Sequence, residues 1–143
     1  MVSSKLRRTL INNAKDALTN AYAPYSGIRV GAALLDEQGR IFKGCNIENS
    51  SFGLTICAER VGVFNAIVNG SKRFKALCVV VEGNLKPTPC GACRQVLAEF
   101  SQELEIIEVN TSGYESETTL RELLPDAFTL ERKGGGQNKK PQK

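Results

Sequence analysis

The first part of the chain repeats apolar residues with the period of a helix. Between residues 4 and 22 they recur three or four positions apart, which places them on one helix face. Ser3 or Ser4 can cap the start, and Pro24 with Gly27 breaks the pattern. The apolar positions are Leu6, Leu10, Ile11, Ala14, Ala17, Leu18 and Ala21. The pattern predicts an amphipathic first helix.

After this helix, short apolar runs alternate with longer helical segments. A hairpin is predicted first, with a turn at residues 36–39 (DEQG) between its two strands. Thr55 is the expected cap of the second helix, and Asn69 with Gly70 its expected end. The predicted segments are strands at 28–35, 40–47, 76–83 and 104–110, and helices at 55–70, 90–100 and 118–125. The order α-β-β-α-β-α-β-α predicts a three-layer α/β sandwich with a mixed sheet.

Length and charge indicate one folded domain with a basic end. The chain has 143 residues and a formal net charge of +4, and a chain of this length suits a single domain. Residues 1–130 carry 14 basic and 14 acidic residues, so the whole excess lies in 131–143. We expect a domain over 1–130 followed by a disordered basic tail, which serves solubility or remains from a tag rather than binding RNA or lipid headgroups.

Charge and hydropathy also exclude two classes of partner. A neutral domain does not attract a polyanion, so no nucleic acid is expected. The chain has no apolar run long enough to span a membrane and no secretory signal pattern. These observations predict a cytoplasmic protein without a membrane partner.

Five cysteines without any histidine restrict the possible metal chemistry to thiolates and carboxylates. Cys57 lies at the start of one predicted helix, and Cys90 and Cys93 form a C-x-x-C pair at the start of another. This pair is typical of a metal clamp but also of a redox dithiol. Cys45 and Cys78 lie within predicted strands and are expected to be core residues.

Helix starts suit thiolate ligands, because their unpaired N–H groups and partial positive charge stabilise the anion. Three thiolates would leave a Zn²⁺ site with a charge of −1, which Arg60 or Arg94 could offset. Three ligands also leave the fourth coordination position to water, as in catalytic zinc sites. Glu59 either complements the helix dipole or moves protons beside that water. The pattern C-x-E followed by P-C-x-x-C matches the signature of zinc deaminases and favours a catalytic zinc over a structural one.

Six segments carry a wider likeness across residues 5–128: AYAPYS, VGAALL, GCNIEN, LTICAER, PCGACRQVLAEF and ELLPDAF. With them the chain resembles the small homotetrameric cytidine deaminases. This resemblance implies a three-layer α/β/α sandwich with a mixed five-stranded sheet, and makes residues 1–130 the catalytic domain. It also implies a homotetramer whose active sites are shared between subunits.

The resemblance assigns roles to individual residues. It implies one zinc ion per subunit bound by Cys57, Cys90 and Cys93. The other implied roles are Glu59 as proton shuttle, Asn46 and Glu48 at the ribose hydroxyls, backbone groups of Ala58 at the pyrimidine, Arg60 on the thiolates and Phe128 lent by a neighbouring subunit.

Two positions differ from the usual family pattern. Ile28 stands where the family has a phenylalanine stacked on the base, so it offers apolar contact without an aromatic face. Losing such a stack costs on the order of 1 kcal/mol of binding. Phe52 stands where many relatives have tyrosine and lacks its hydroxyl.

The implied activity is hydrolytic deamination of cytidine and deoxycytidine to uridine and deoxyuridine, in pyrimidine salvage. Water activated by zinc attacks C4, Glu59 protonates N3 and then the amino group, and ammonia leaves. Three alternatives stay open: a polynucleotide deaminase, a non-catalytic zinc or dithiol protein, and a deaminase of another aminated heterocycle.

Overall fold

A computed structural model shows an α/β/α sandwich and describes residues 1–133. In chain order the helices are α1 (Ser4–Leu18), α2 (Ala58–Val68), α3 (Gly91–Phe100) and α4 (Leu120–Leu123), with a 3₁₀ turn at Phe52–Leu54. The strands are β1 (Val30–Asp36), β2 (Ile41–Cys45), β3 (Phe74–Val81), β4 (Glu105–Asn110) and β5 (Glu115–Thr119).

The five strands form one mixed sheet in the order β2-β1-β3-β4-β5. β3 pairs with β4 in parallel, and the other neighbouring pairs are antiparallel. Because β1 runs opposite to both β2 and β3, the strands β2, β3 and β4 all point the same way. Their carboxyl ends therefore lie along one edge of the sheet.

Two apolar clusters cover the two faces of the sheet. On one face, α1 packs Leu10, Ala14 and Leu18 against the sheet. On the other face, α2, α3 and α4 bury a larger set that includes Val63, Leu97 and Leu120. The predicted three-layer architecture and five-stranded mixed sheet are confirmed.

Several predicted boundaries were wrong. The first helix ends at Leu18 rather than near residue 22, and Ser3 caps its start by accepting a hydrogen bond from the Leu6 N–H. The second helix begins at Ala58, not near Thr55, because the Thr55 hydroxyl accepts from the Asn49 N–H instead.

The end of the domain also differs from the pattern. The apolar pattern indicated only four strands, and the fifth, β5, has the sequence ESETT without an apolar residue. The predicted helix at 118–125 is a single turn, capped by Thr119 through the Glu122 N–H. Residues 134–143 of the expected basic tail lie outside the described residues, so the boundary at residue 130 stays a prediction. Within the described part of the chain, no helix is both long and apolar enough to cross a membrane.

Candidate active site

The starts of α2 and α3 meet at the edge formed by the carboxyl ends of β2, β3 and β4. The chain leaves β2 at Cys45 and enters α2 through Cys57, which is the N-cap. It leaves β3 at Val81 and enters α3 through Cys90, again the N-cap, with Cys93 in the first turn. Both helices lie on the same face of the sheet, so their amino ends bring the three cysteines together.

A short ladder of backbone hydrogen bonds positions the loops around this edge. Ile47 and Ile56 exchange two N–H···O bonds of 3.0 Å, and Tyr22 forms a bridge to Ile47 on the other side. The Glu48 N–H donates to the Tyr22 carbonyl at 2.8 Å. Ile47 directly precedes Glu48, and Ile56 directly precedes Cys57. The pairing of Ile47 with Ile56 therefore holds Glu48 near Cys57.

The three sulfurs are arranged as a zinc site requires. The Sγ atoms of Cys57, Cys90 and Cys93 all lie within 4.8 Å of one another, and Cys57 and Cys90 are 3.7 Å apart. With a Zn–S distance of about 2.3 Å, tetrahedral geometry separates two sulfurs by about 3.8 Å. The residues therefore fit Zn²⁺. Cys45 and Cys78 are not in this cluster: Cys78 is buried on the α1 face, and Cys45 is half-buried at the end of β2.

One of the sulfurs is prepared as a thiolate. A hydrogen bond from Cys93, followed by those from Arg60 and Cys90, lowers the pKa of Cys57 to about 5 in spite of burial. The same bond to Cys57 and burial raise the pKa of Cys93. The Arg60 Nη2 lies 3.4 Å from the Cys57 sulfur. Arg94, the other candidate, donates instead to the Pro89 and Leu123 carbonyls at 2.8 and 2.9 Å.

Glu59 is a buried carboxyl in the first turn of α2. It is 5% exposed, and burial, with a smaller contribution from the Cys57 thiolate, raises its pKa to about 6. It is not a member of the sulfur cluster. A carboxyl group of this kind can hold and release a proton near neutral pH.

Asn46 and Glu48, two positions apart in the sequence, lie in different environments. Asn46 is buried, and its amide accepts from the Val30 N–H at 2.9 Å and donates to the Ile28 carbonyl at 2.7 Å. Glu48 instead lines an open pocket of about 340 Å³ together with Tyr25, Ser26, Phe52 and Thr55. Of the two residues expected at the ribose hydroxyls, only Glu48 lines this pocket.

The remaining predicted substrate residues lie in three different environments. Ala58 is fully buried, and Ile28 is exposed. Phe128 is 68% exposed, and its carbonyl accepts from the Gln95 amide at 3.0 Å. The Phe128 ring therefore faces solvent in the single chain.

Sequence reasoning missed two features beside the site. One is Ser26, whose hydroxyl contacts Glu48. The other is Glu108 of β4, which is 2% exposed. It accepts a hydrogen bond of 3.1 Å from the hydroxyl of Thr88, and Thr88 lies two positions before Cys90. A charge inside the apolar run of β4 was the signal for Glu108. Ser26 ends the AYAPYS segment that carries the family likeness, but that likeness assigned it no role.

Comparison with known proteins defines the class. The family model of the cytidine and deoxycytidylate deaminase zinc-binding region matches residues 4–108. The chain belongs to this zinc-binding deaminase family. It is 50% identical over 123 residues to a cytidine deaminase of Sporosarcina psychrophila, covering 85% of this chain and 90% of that protein.

Two further relatives support the same class. A cytidine deaminase of Halalkalibacterium halodurans is 46% identical over 126 residues, which cover 87% of this chain and 96% of the relative. The crystal structure of cytidine deaminase from Burkholderia pseudomallei superposes with a TM-score of 0.81 at 47% identity, covering 85% of this chain and 98% of the other. The chain matches both relatives over nearly their whole length.

Proposed function

We propose that this protein is a zinc-dependent hydrolase that deaminates cytidine and deoxycytidine to uridine and deoxyuridine. One observation carries the proposal: three cysteine sulfurs lie within 4.8 Å at two helix starts, and Glu59 is buried in the first turn of one of these helices. The similarity to proteins named cytidine deaminase supports the choice of substrate.

The residues of the chain divide the chemical work. Cys57, Cys90 and Cys93 would hold one zinc ion, which supplies a Lewis acid that lowers the pKa of water to roughly 7. Arg60 donates to Cys57 and offsets the negative charge of the thiolates. Glu59 takes a proton from the attacking water and gives it to N3 of the base as the oxygen bonds to C4. It then moves the remaining proton of that oxygen to the amino nitrogen, so that the C4–N bond breaks, ammonia leaves and the C4 carbonyl forms.

Binding is assigned to the surrounding loops. Glu48 and the free N–H of the Asn46 amide would hold hydroxyls of the sugar, and backbone groups of Ala58 the pyrimidine. Ile28 would contact the base without stacking. By fixing the nucleoside in one orientation, these contacts would hold C4 beside the attacking water.

Assembly is part of the proposal. Phe64 and Val68 leave α2 with an apolar outer face, 49% and 82% exposed, and exposed apolar patches of this kind mark protein interfaces. A homotetramer would cover this face and bring Phe128 of one copy to the active site of another. We place the enzyme in the cytoplasm and in pyrimidine salvage.

Zinc content and nucleoside turnover, measured on one preparation, test the function. We expect one zinc per chain and an ultraviolet absorbance loss with cytidine that stops when a chelator removes the metal. Single-stranded DNA and RNA, and a panel of other aminated heterocycles, should react much more slowly. Zinc without turnover would indicate a structural site, and faster reaction of a polynucleotide or another heterocycle would contradict the assigned substrate.

A further inference from the structure

The Glu48 carboxylate is held by one neighbouring loop. One of its oxygens accepts from the Tyr25 and Ser26 N–H groups at 2.9 and 3.1 Å, and the other accepts from the Ser26 hydroxyl at 2.5 Å. A carboxylate has about four acceptor positions. Three are therefore used inside the protein, and about one is left for a ligand in the pocket.

The Ser26 hydroxyl forms hydrogen bonds with both Glu48 and Ile28. While it donates to Glu48, it accepts from the Ile28 N–H at 3.0 Å. The Ile28 carbonyl is fixed in turn by the Asn46 amide at 2.7 Å. Gly27 permits this tight turn because its φ is +70°, a value that other residues rarely adopt. One hydroxyl thus connects the carboxylate proposed to face the sugar with the residue proposed to face the base.

These bonds contribute orientation more than stability. Tyr25 and Ser26 are exposed, and water can replace hydrogen bonds at such positions with little loss of folding free energy. Converging donors nevertheless fix the direction of the carboxylate, and they lower the pKa of Glu48, the Ser26 hydroxyl first. The group is ionised, so it accepts hydrogen bonds and donates none.

We propose that Ser26 is a positioning residue for sugar recognition: it aims the one free acceptor position of Glu48 at a ring hydroxyl of the nucleoside. This inference rests on the proposed function, because it assumes a nucleoside in the pocket. Ser26 acts through Glu48 and does not itself touch the reacting atoms. Removing its hydroxyl should weaken recognition of the sugar hydroxyl and leave the chemical step unchanged.

The test pairs Ser26→Ala with two substrates on the zinc-loaded enzyme. For cytidine we expect KM to rise about tenfold or more while kcat stays within twofold. A tenfold rise corresponds to about 1.4 kcal/mol of binding free energy. For 2′,3′-dideoxycytidine, which lacks the ring hydroxyls, KM should stay within twofold of the unsubstituted enzyme. Ser26→Thr keeps the hydroxyl and should restore cytidine binding.

Ser50→Ala is the matched control. It removes a serine hydroxyl from the same region, where Ser50 accepts from the Tyr25 hydroxyl at 2.9 Å without contacting Glu48. It should change neither substrate. Glu48→Gln should reproduce the cytidine-specific loss, and Ser26→Cys, whose thiol is a weak donor, replaces Ser26→Ala if that variant does not fold.

The outcomes separate the two levels of the argument. If the unsubstituted enzyme deaminates neither nucleoside, the proposed function fails. If the unsubstituted enzyme deaminates both nucleosides equally well, the function stands and the positioning role of Ser26 is overturned. The same conclusion follows if Ser26→Ala raises KM for both nucleosides by the same factor.

Discussion

Gly44 of β2 lies so close to Gly62 of α2 that a side chain on Gly44 has no room. A Cβ atom on Gly44 would stand 2.4 Å from the Gly62 nitrogen and 2.3 Å from the Ala58 carbonyl oxygen. Real Cβ atoms do not approach backbone so closely. The close contact sets the depth at which the first turn of α2 sits on the sheet, and that turn carries Glu59 just after Cys57.

Gly44→Ala should therefore destabilise the protein and displace the active site. We expect the free energy of unfolding to fall by about 3 kcal/mol, at the upper end of typical overpacking costs because rigid backbone is in the way. Urea titration measures this loss. Zinc binding should weaken as well, because α2 must shift away from the sheet.

Gly53→Ala is the matched control for this substitution. A Cβ on Gly53 meets nothing within 4 Å, so the free energy of unfolding should change by less than about 0.5 kcal/mol. Equal losses in the two variants would contradict the close-packing explanation.

The sequence predicted the chemistry of the site better than its surroundings. Helix periodicity and the C-x-E and C-x-x-C patterns predicted that the three cysteines lie at two helix starts, and the structure places their sulfurs together. Strand β5 was missed because an exposed, polar edge segment has no apolar alternation. The contacts of Ser26 and Asn46 depend on where distant loops fold back, which local patterns do not encode.

Glu59→Gln should separate metal binding from turnover. The amide keeps the shape of the side chain but cannot deliver protons, so we expect kcat for cytidine to fall by about 10²- to 10⁴-fold. Zinc content should stay near that of the unsubstituted enzyme, as measured by atomic absorption. The Glu99→Gln control alters an exposed carboxylate of α3 and should change neither quantity. Near-normal turnover of Glu59→Gln or Glu59→Ala would refute the proton-shuttle role.

The two arginines near the cysteines should behave differently when each is replaced by glutamine. Arg60 donates to the Cys57 sulfur, so Arg60→Gln should weaken zinc binding by about 10- to 100-fold, as substitutions around metal ligands typically do. Competition with a chromogenic chelator measures this affinity.

Arg94 instead ties the Pro89 and Leu123 carbonyls together. Its replacement by glutamine should cost roughly 1–3 kcal/mol of unfolding free energy and have a smaller effect on zinc. If both variants lost zinc equally, the distinct role of Arg60 would be wrong.

Asp36 should make stability depend on pH. Its side chain is almost fully buried, and burial opposes ionisation, but hydrogen bonds from Ser71, Arg40 and Gln38 outweigh it and lower the pKa below the ordinary value of 3.8. A lowered pKa in the folded state means that the carboxylate stabilises the protein above about pH 4. That contribution is lost as pH falls through the folded pKa.

Comparison with Asp36→Asn isolates this carboxylate, because other titrating groups are common to both proteins. At pH 7 the variant should be less stable by on the order of 1–3 kcal/mol in urea unfolding. The difference should shrink below pH 4, as Asp36 becomes neutral. A difference that is unchanged between pH 7 and pH 3 would show that the charge of Asp36 is not what stabilises the turn after β1.

The outer face of α2 should determine the assembly. Phe64→Glu places a charge at the centre of the apolar surface formed with Val68, and burying an unpaired charge in an interface is costly. We expect sedimentation to show a shift from a tetramer to smaller species, with a loss of cytidine deamination because Phe128 can no longer reach a neighbouring site. Asn12→Glu adds the same charge to the exposed side of α1 and should change neither the sedimentation of the tetramer nor the rate of cytidine deamination. A tetramer that persists in Phe64→Glu would mean that copies of the chain associate through another surface.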